Sequence, residues 1–118
     1  MTLSYLQYPN CSTCRKAAKW LTAQGLEFTS IDLVKTPPTA IELADLHARS
    51  GLPIKRFFNT SGLSYRGGAW KDRLPGLSDQ EAYEALAADG KLIKRPILDN
   101  GIQVLVGFRE AEYAELLT

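Results

Sequence analysis

Cys11 and Cys14 are the only cysteines in the chain, and they stand three positions apart. They follow a short apolar run, Leu3 to Tyr8, and a Pro9-Asn10 turn, and a helical pattern follows them. A thiol at a helix N-terminus faces unpaired backbone N–H groups and the positive end of the helix dipole, both of which favour thiolate over thiol. Thiolate is the reactive form, and a second thiol one turn further on can attack whatever the first has captured. Cys11, at the turn, is therefore the expected nucleophile. Cys14, one turn inside and more shielded, is the expected resolving thiol. Asn10, Ser12, Thr13 and Arg15 flank the pair and are candidate substrate-binding positions; Arg15 could add positive charge near the sulfur.

Two other readings compete. Two cysteines can simply pack as small apolar residues. A metal site is the weaker alternative, because one pair supplies two ligands where a closed zinc site takes four. His47, the single histidine, lies far along the chain in a helical segment and reads as a solvent-facing or half-buried residue. No resident metal or cofactor is expected.

A second chemical feature is Arg95-Pro96, which follows the basic stretch Lys91-Leu92-Ile93-Lys94. A cis bond here would set the backbone against the active-site turn; a trans proline opening an edge strand fits the local sequence equally well. Arg95 is either an anion-binding group or a solvated charge. Arg56, Arg66, Lys71 and Arg73 form a looser basic group that reads as solvated surface. Trp20 and Trp70 read as packing residues, although Trp70, after Gly67-Gly68, could cover a site.

Bulk properties bound the function. The chain has 118 residues, 45% hydrophobic and 23% charged, which suits one soluble globular domain over residues 1–118. A formal charge of +1 argues against a dedicated nucleic-acid or membrane-surface protein. No apolar run approaches the roughly 18 residues needed to span a bilayer. Met1-Thr2-Leu3 lacks the basic segment and long apolar core of a signal peptide, so a cytoplasmic location is expected. In a reducing compartment a Cys-x-x-Cys pair is expected to be catalytic, redox-sensing or metal-binding rather than a structural staple.

The elements that must hold the thiols follow from periodicity. A strand is expected over 3–8, a helix over 12–24 ended by Gly25 as a left-handed cap, and a strand over 28–33 parallel to the first. Thr39 with Glu42 is a capping box opening a helix that runs to about Ser50, stopped by Gly51 and Pro53. Residues 54–58 suggest a helical turn, 59–62 and 67–68 loops, and 70–74 a short helix. Ser78 with Glu81 caps a helix over 79–88. A hairpin is expected over 96–99 and 102–106, with Asn100-Gly101 supplying two positive φ angles. A last helix over 109–117 should turn Ala111, Leu116 and Tyr113 inward. This βαβ…ββα order is an α/β, thioredoxin-like mixed sheet with a mostly helical insertion at about 39–90.

These residues carry a resemblance. Tyr8 to Ala17 resembles the active-site segment of the glutaredoxin-linked arsenate reductase (ArsC) family, which also holds the Spx/MgsR-type regulators. Leu92 to Ile97 is similar to that family's second signature, and Val106 to Glu110 resembles the closing segment of its Spx-like branch. The resemblance implies a thioredoxin fold with a helical insert, a nucleophile at Cys11, Arg95 facing the thiol or an anion, and Pro96 in cis beside the substrate. Two departures follow. The arsenate reductases carry serine at Cys14, whereas Cys-x-x-Cys is typical of the Spx-like branch and there forms an intramolecular disulfide. Those reductases also set three arginines around the oxyanion; only Arg95 matches here, Asn59 and Gly107 standing at the other two positions. Arg109 or Arg66 could substitute.

Two functions are carried forward. One is a thiol-dependent oxidoreductase acting on arsenate or, more in keeping with the missing arginines, on another disulfide or oxidised thiol. Its reductant would be glutathione, glutaredoxin or thioredoxin. The other is a redox-sensing regulator that binds the RNA polymerase α subunit through a Cys11–Cys14 disulfide switch. The first is preferred, because Leu52 to Gly62 differs from the segment expected of Spx. A third possibility is a redox-inert fold with an ordinary thiol at Cys11.

Overall fold

The computed structural model describes residues 3–117. Four strands, β1 (Ser4–Gln7), β2 (Thr29–Asp32), β3 (Ile97–Asp99) and β4 (Val104–Val106), form one sheet in the order β2-β1-β3-β4. β1 runs parallel to β2 and antiparallel to β3, and β3 is antiparallel to β4. The parallel pair is joined by α1 (Ser12–Ala23), as a parallel crossover requires. Between β2 and β3 the chain runs through α2 (Ala40–Ser50), a 3₁₀ turn at Ile54–Phe57, α3 (Leu63–Gly67), α4 (Trp70–Arg73), α5 (Asp79–Ala88) and a 3₁₀ turn at Gly90–Leu92. α6 (Glu110–Leu117) follows β4.

Strand alternation divides the core in two. Tyr5 and Leu98 face one side, where they pack with Ala17 and Leu21 of α1 and Tyr113 of α6. Leu6, Ile97, Val104 and Val106 face the other and meet the insert helices through Leu43, Leu46, Phe57 and Leu86. The sheet is thus covered on both faces, the mixed α/β architecture expected from the element order. Tyr5 Oη donates to the Cys14 carbonyl at 2.5 Å, fixing α1 on the central strand. On the insert side Arg49 of α2 grips Asp99 of β3 with two bonds, at 2.5 and 3.0 Å, and holds that carboxyl below its usual range.

Both capping boxes form as expected: Thr39 with Glu42, and Ser78 with Glu81. Gly25 and Gly51 are left-handed at the ends of α1 and α2. Three expectations are corrected. The hairpin loop is not a two-residue turn, since β3 pairs Asp99 with Val104 and only Gly101 has positive φ. Asn100 instead closes a wider loop, its side-chain oxygen accepting from the N–H groups of Ile102 and Gln103. Ala111 is exposed, and Tyr113 with Leu116 carries the inward face of α6. Residues 63–67, left unassigned by periodicity, form α3, which buries only Tyr65.

The insert is seated on the sheet by a close backbone approach at Gly90. A Cβ there would lie 2.0 Å from the Leu33 carbonyl oxygen and 2.8 Å from Val34 Cα, both backbone atoms with little freedom to yield. Gly90→Ala is expected to lower stability by about 1–3 kcal/mol through overpacking. Urea unfolding should show a lower midpoint at unchanged slope. Gly76→Ala, where a Cβ meets nothing within 4 Å, is the control and should be near neutral.

Candidate active site

Cys11 is the N-cap of α1, with extended backbone at φ −92° and ψ 119°. Its N–H donates to the Tyr8 carbonyl at 2.9 Å, and its own carbonyl accepts from Arg15 N–H at 3.1 Å. Its Sγ accepts from the Cys14 N–H at 3.3 Å. Side-chain oxygens usually fill this capping role; here a sulfur does, which aims it at the free donors of the first turn. Cys11 is half-buried, whereas Cys14 is fully buried on the same face as Ala17 and Leu21.

The two thiols are driven apart in acidity. Burial alone would raise Cys11, but the Cys14 thiol, the Cys14 N–H and the Arg95 guanidinium all stabilise its anion, and its pKa falls below the ordinary 9.0. Cys14 is pushed up to about 12, first by burial and then by its bond to the Cys11 sulfur. The outer sulfur is thus the more readily ionised and the inner one is held protonated, the division of labour that thiol exchange needs.

Arg95 reaches the sulfur because of sheet register. β1 pairs Leu6 with Ile97 in antiparallel sense, so Arg95 and Pro96 lie beside the end of β1 that leads into Cys11. The Arg95-Pro96 bond is cis. The Arg95 guanidinium stands 4.9 Å over the Tyr8 ring, and its Nη1 reaches the Lys91 carbonyl at 3.4 Å. Pro96 is buried and its carbonyl accepts from Gly107 N–H at 2.7 Å.

The remaining candidates separate. Thr13 and Arg95 line one cavity of ≈ 360 Å³, joined there by Arg56, Lys94 and Arg109. Ser12 is exposed at the start of α1. Asn10 is exposed and its amide donates to Tyr8 Oη at 3.2 Å. Arg15 donates to the Pro9 carbonyl at 2.8 Å, so the guanidinium set against the sulfur is that of Arg95. Arg56 and Lys94 were legible as charges but not as neighbours, because the insert fold brings Arg56 across to Lys94. Gly107 has φ +87°, a backbone conformation in which an L side chain is strained, and Arg109 two residues on lines the cavity instead. Arg66 is turned to the Ser61 carbonyl, and Trp70 packs on Phe58, outside this cavity.

No group of three or more His, Cys, Asp or Glu side chains converges as a metal site among the described residues. His47 is half-buried with both ring nitrogens engaged, Nδ1 by Tyr83 Oη at 2.6 Å and Nε2 by the Leu52 carbonyl at 2.9 Å. A carbonyl needs a donor, which assigns the proton to Nε2 and leaves Nδ1 to accept.

The sequence profile described as the ArsC family matches residues 6–116, nearly the whole chain. The chain belongs to the ArsC family. Among relatives, the uncharacterized protein YusI of Bacillus subtilis is 47% identical over 98% of both chains. The regulatory protein MgsR of Bacillus subtilis is 27% identical, covering 97% of this chain and 89% of its own. A solved structure from Bacteroides fragilis, described as related to the ArsC family, superposes with a TM-score of 0.95 at 44% identity, covering 98% of each chain. A possible arsenate reductase from Streptococcus mutans superposes at 0.90, also 44% identical and covering 98% of each chain. The relatives thus include one protein named as a regulator and one named as a possible arsenate reductase.

Proposed function

We propose that this ArsC-family chain is a thiol-dependent oxidoreductase working as one thioredoxin-like domain in the cytoplasm. Cys11 attacks a disulfide or oxidised thiol and forms a mixed disulfide, while the leaving sulfur departs as thiolate. Cys14 gives up its proton, attacks Cys11 Sγ and releases the product, leaving an intramolecular disulfide that glutathione, glutaredoxin or thioredoxin reduces. Arg95 stabilises the developing negative charge. The observation that carries this reading is the capping sulfur itself, held by the Cys14 N–H with Arg95 against it. Arsenate is ranked as the weaker substrate because Asn59 and Gly107 carry no charge, each charge-assisted bond being worth about 1.5–3 kcal/mol; it stays in the assay because Arg56, Lys94 and Arg109 line the cavity beside Arg95.

The likeness to the regulatory protein MgsR favours one second reading, in which the same dithiol is a sensor whose disulfide alters binding to the RNA polymerase α subunit. The deciding experiment pairs a thiol-coupled reductase assay, on small disulfides and arsenate, with capture of the purified α subunit. Turnover of disulfides is the expected result, with arsenate slower. Capture of α by one redox form, with no turnover of any substrate, would replace the oxidoreductase reading with the regulatory one.

A further inference from the structure

The cavity beside Arg95 does not stand alone. It shares Arg56 and Lys94 with a second cavity of ≈ 320 Å³ that Pro53, Lys55 and Phe58 also line. Together the two make a trough that starts at Thr13, two residues from the nucleophile, and runs out over the insert.

Its lining is charged with one sign. Lys55, Arg56, Lys94, Arg95 and Arg109 border it, and no aspartate or glutamate does. The chain as a whole carries only +1, so this is local segregation rather than a basic protein. Apart from Arg95, these cations are also uncommitted. Both salt bridges among the described residues belong to Arg49, and the side chains of Lys55, Arg56, Lys94 and Arg109 have no ion-pair or hydrogen-bond partner there. Like charges gathered without counter-charges repel one another and are relieved by an anion. A small oxyanion would occupy only the end at Arg95. The cationic lining continues past it through Lys94 and Arg56 to Lys55, beside the exposed Pro53, and that length of positive charge fits an extended polypeptide with acidic side chains.

We infer that the substrate is a disulfide carried on an acidic segment of another protein, which lies along this trough with its sulfur at Cys11. The inference rests on the oxidoreductase reading and names its substrate class. In the exchange the Cys11 thiolate bonds to the segment's cysteine sulfur and that cysteine's former partner leaves as thiolate. The Cys14 thiol then bonds to Cys11 through its sulfur, its proton passing to the segment's departing sulfur, so the substrate disulfide is reduced to two thiols and the dithiol oxidised.

The test uses the Cys14→Ser chain, which stops at the mixed disulfide. Short peptides bearing one cysteine as a thiopyridyl disulfide, flanked by Glu, Gln or Lys, are compared by release of thiopyridone. Each rate is divided by that peptide's rate with a small neutral thiol, and a small dicarboxylate disulfide and dipyridyl disulfide are run beside them. The Glu peptide should react at least about tenfold faster than the Gln peptide, with the Lys peptide slowest and the gaps closing as salt rises. Added Arg56→Ser and Lys94→Ser should collapse the Glu-to-Gln ratio. Equal normalised rates for the three peptides would overturn the inference while leaving the oxidoreductase reading intact. A dicarboxylate gaining as much as the Glu peptide would also overturn it, in favour of a small-anion site. Failure of every disulfide, dipyridyl disulfide included, would remove the oxidoreductase reading and the inference with it.

Discussion

Cys11→Ser is expected to abolish disulfide exchange, with a loss on the order of 10⁴-fold or more, because no other group on the chain can form the covalent intermediate. Cys14 does not rescue it: that sulfur is fully buried, and burial is the first cause that holds its thiol protonated. Cys14→Ser should behave differently. Serine keeps a hydroxyl donor beside the Cys11 sulfur, so capture of a substrate proceeds, but no sulfur remains to release it. Mass spectrometry should find a mixed disulfide at Cys11 that persists until external thiol is added. Equal inactivity of the two variants, without that adduct in the second, would contradict the assignment of nucleophile and resolving thiol. Diamide treatment of the unaltered chain supplies the complementary measurement, a Cys11–Cys14 bridge seen as the loss of two titratable thiols.

The second large effect belongs to Arg95. Its guanidinium helps hold the Cys11 thiol below 9.0. Thiolate absorbance should therefore titrate at lower pH in the unaltered chain than in Arg95→Ala. Exchange rate follows the thiolate fraction, so both proteins speed up as pH rises, and the variant does so later. Near neutral pH Arg95→Ala should be slower by about tenfold, the low end of the range for a charge-assisted bond because the sulfur is partly open to solvent. At alkaline pH the gap should close, since both sulfurs are then ionised and a more basic thiolate is the better nucleophile. Arg95→Lys should recover part of the downward shift through its charge. A deficit that stayed constant across the whole pH range would make Arg95 a substrate-binding group rather than a thiol-activating one.

Local features were the legible ones. The capping boxes at Thr39 and Ser78, the left-handed glycines at 25 and 51, and the strand–turn–dithiol–helix unit each depend on residues a few positions apart, and each formed. Features set by distant contacts were not. Asn100-Gly101 reads as a tight turn by itself, yet Asp99 pairs with Val104 rather than Ile102, a shift of two residues that keeps Val104 and Val106 on the core face and leaves Ile102 exposed in a wider loop. Periodicity cannot see α3, because a five-residue helix burying one tyrosine has no repeat to display. At the site, the dithiol could be read from its neighbours along the chain, whereas the local sequence left Arg95 open between an anion-binding group and a solvated charge, and its place near the thiol came from the family resemblance. Arg56 is exposed, as charge counting along the chain gives it, but its grouping with Lys94 and Arg109 depends on how the insert folds back.

Gly107 bears on any attempt to engineer arsenate chemistry into this protein. Placing an arginine at that position would ask a residue with a Cβ to hold a torsion of +87° that suits glycine. The loop's own path, and not the single codon, is then the unit that must be exchanged. Homologues that differ here are better donors of a whole β4–α6 connection than of one side chain.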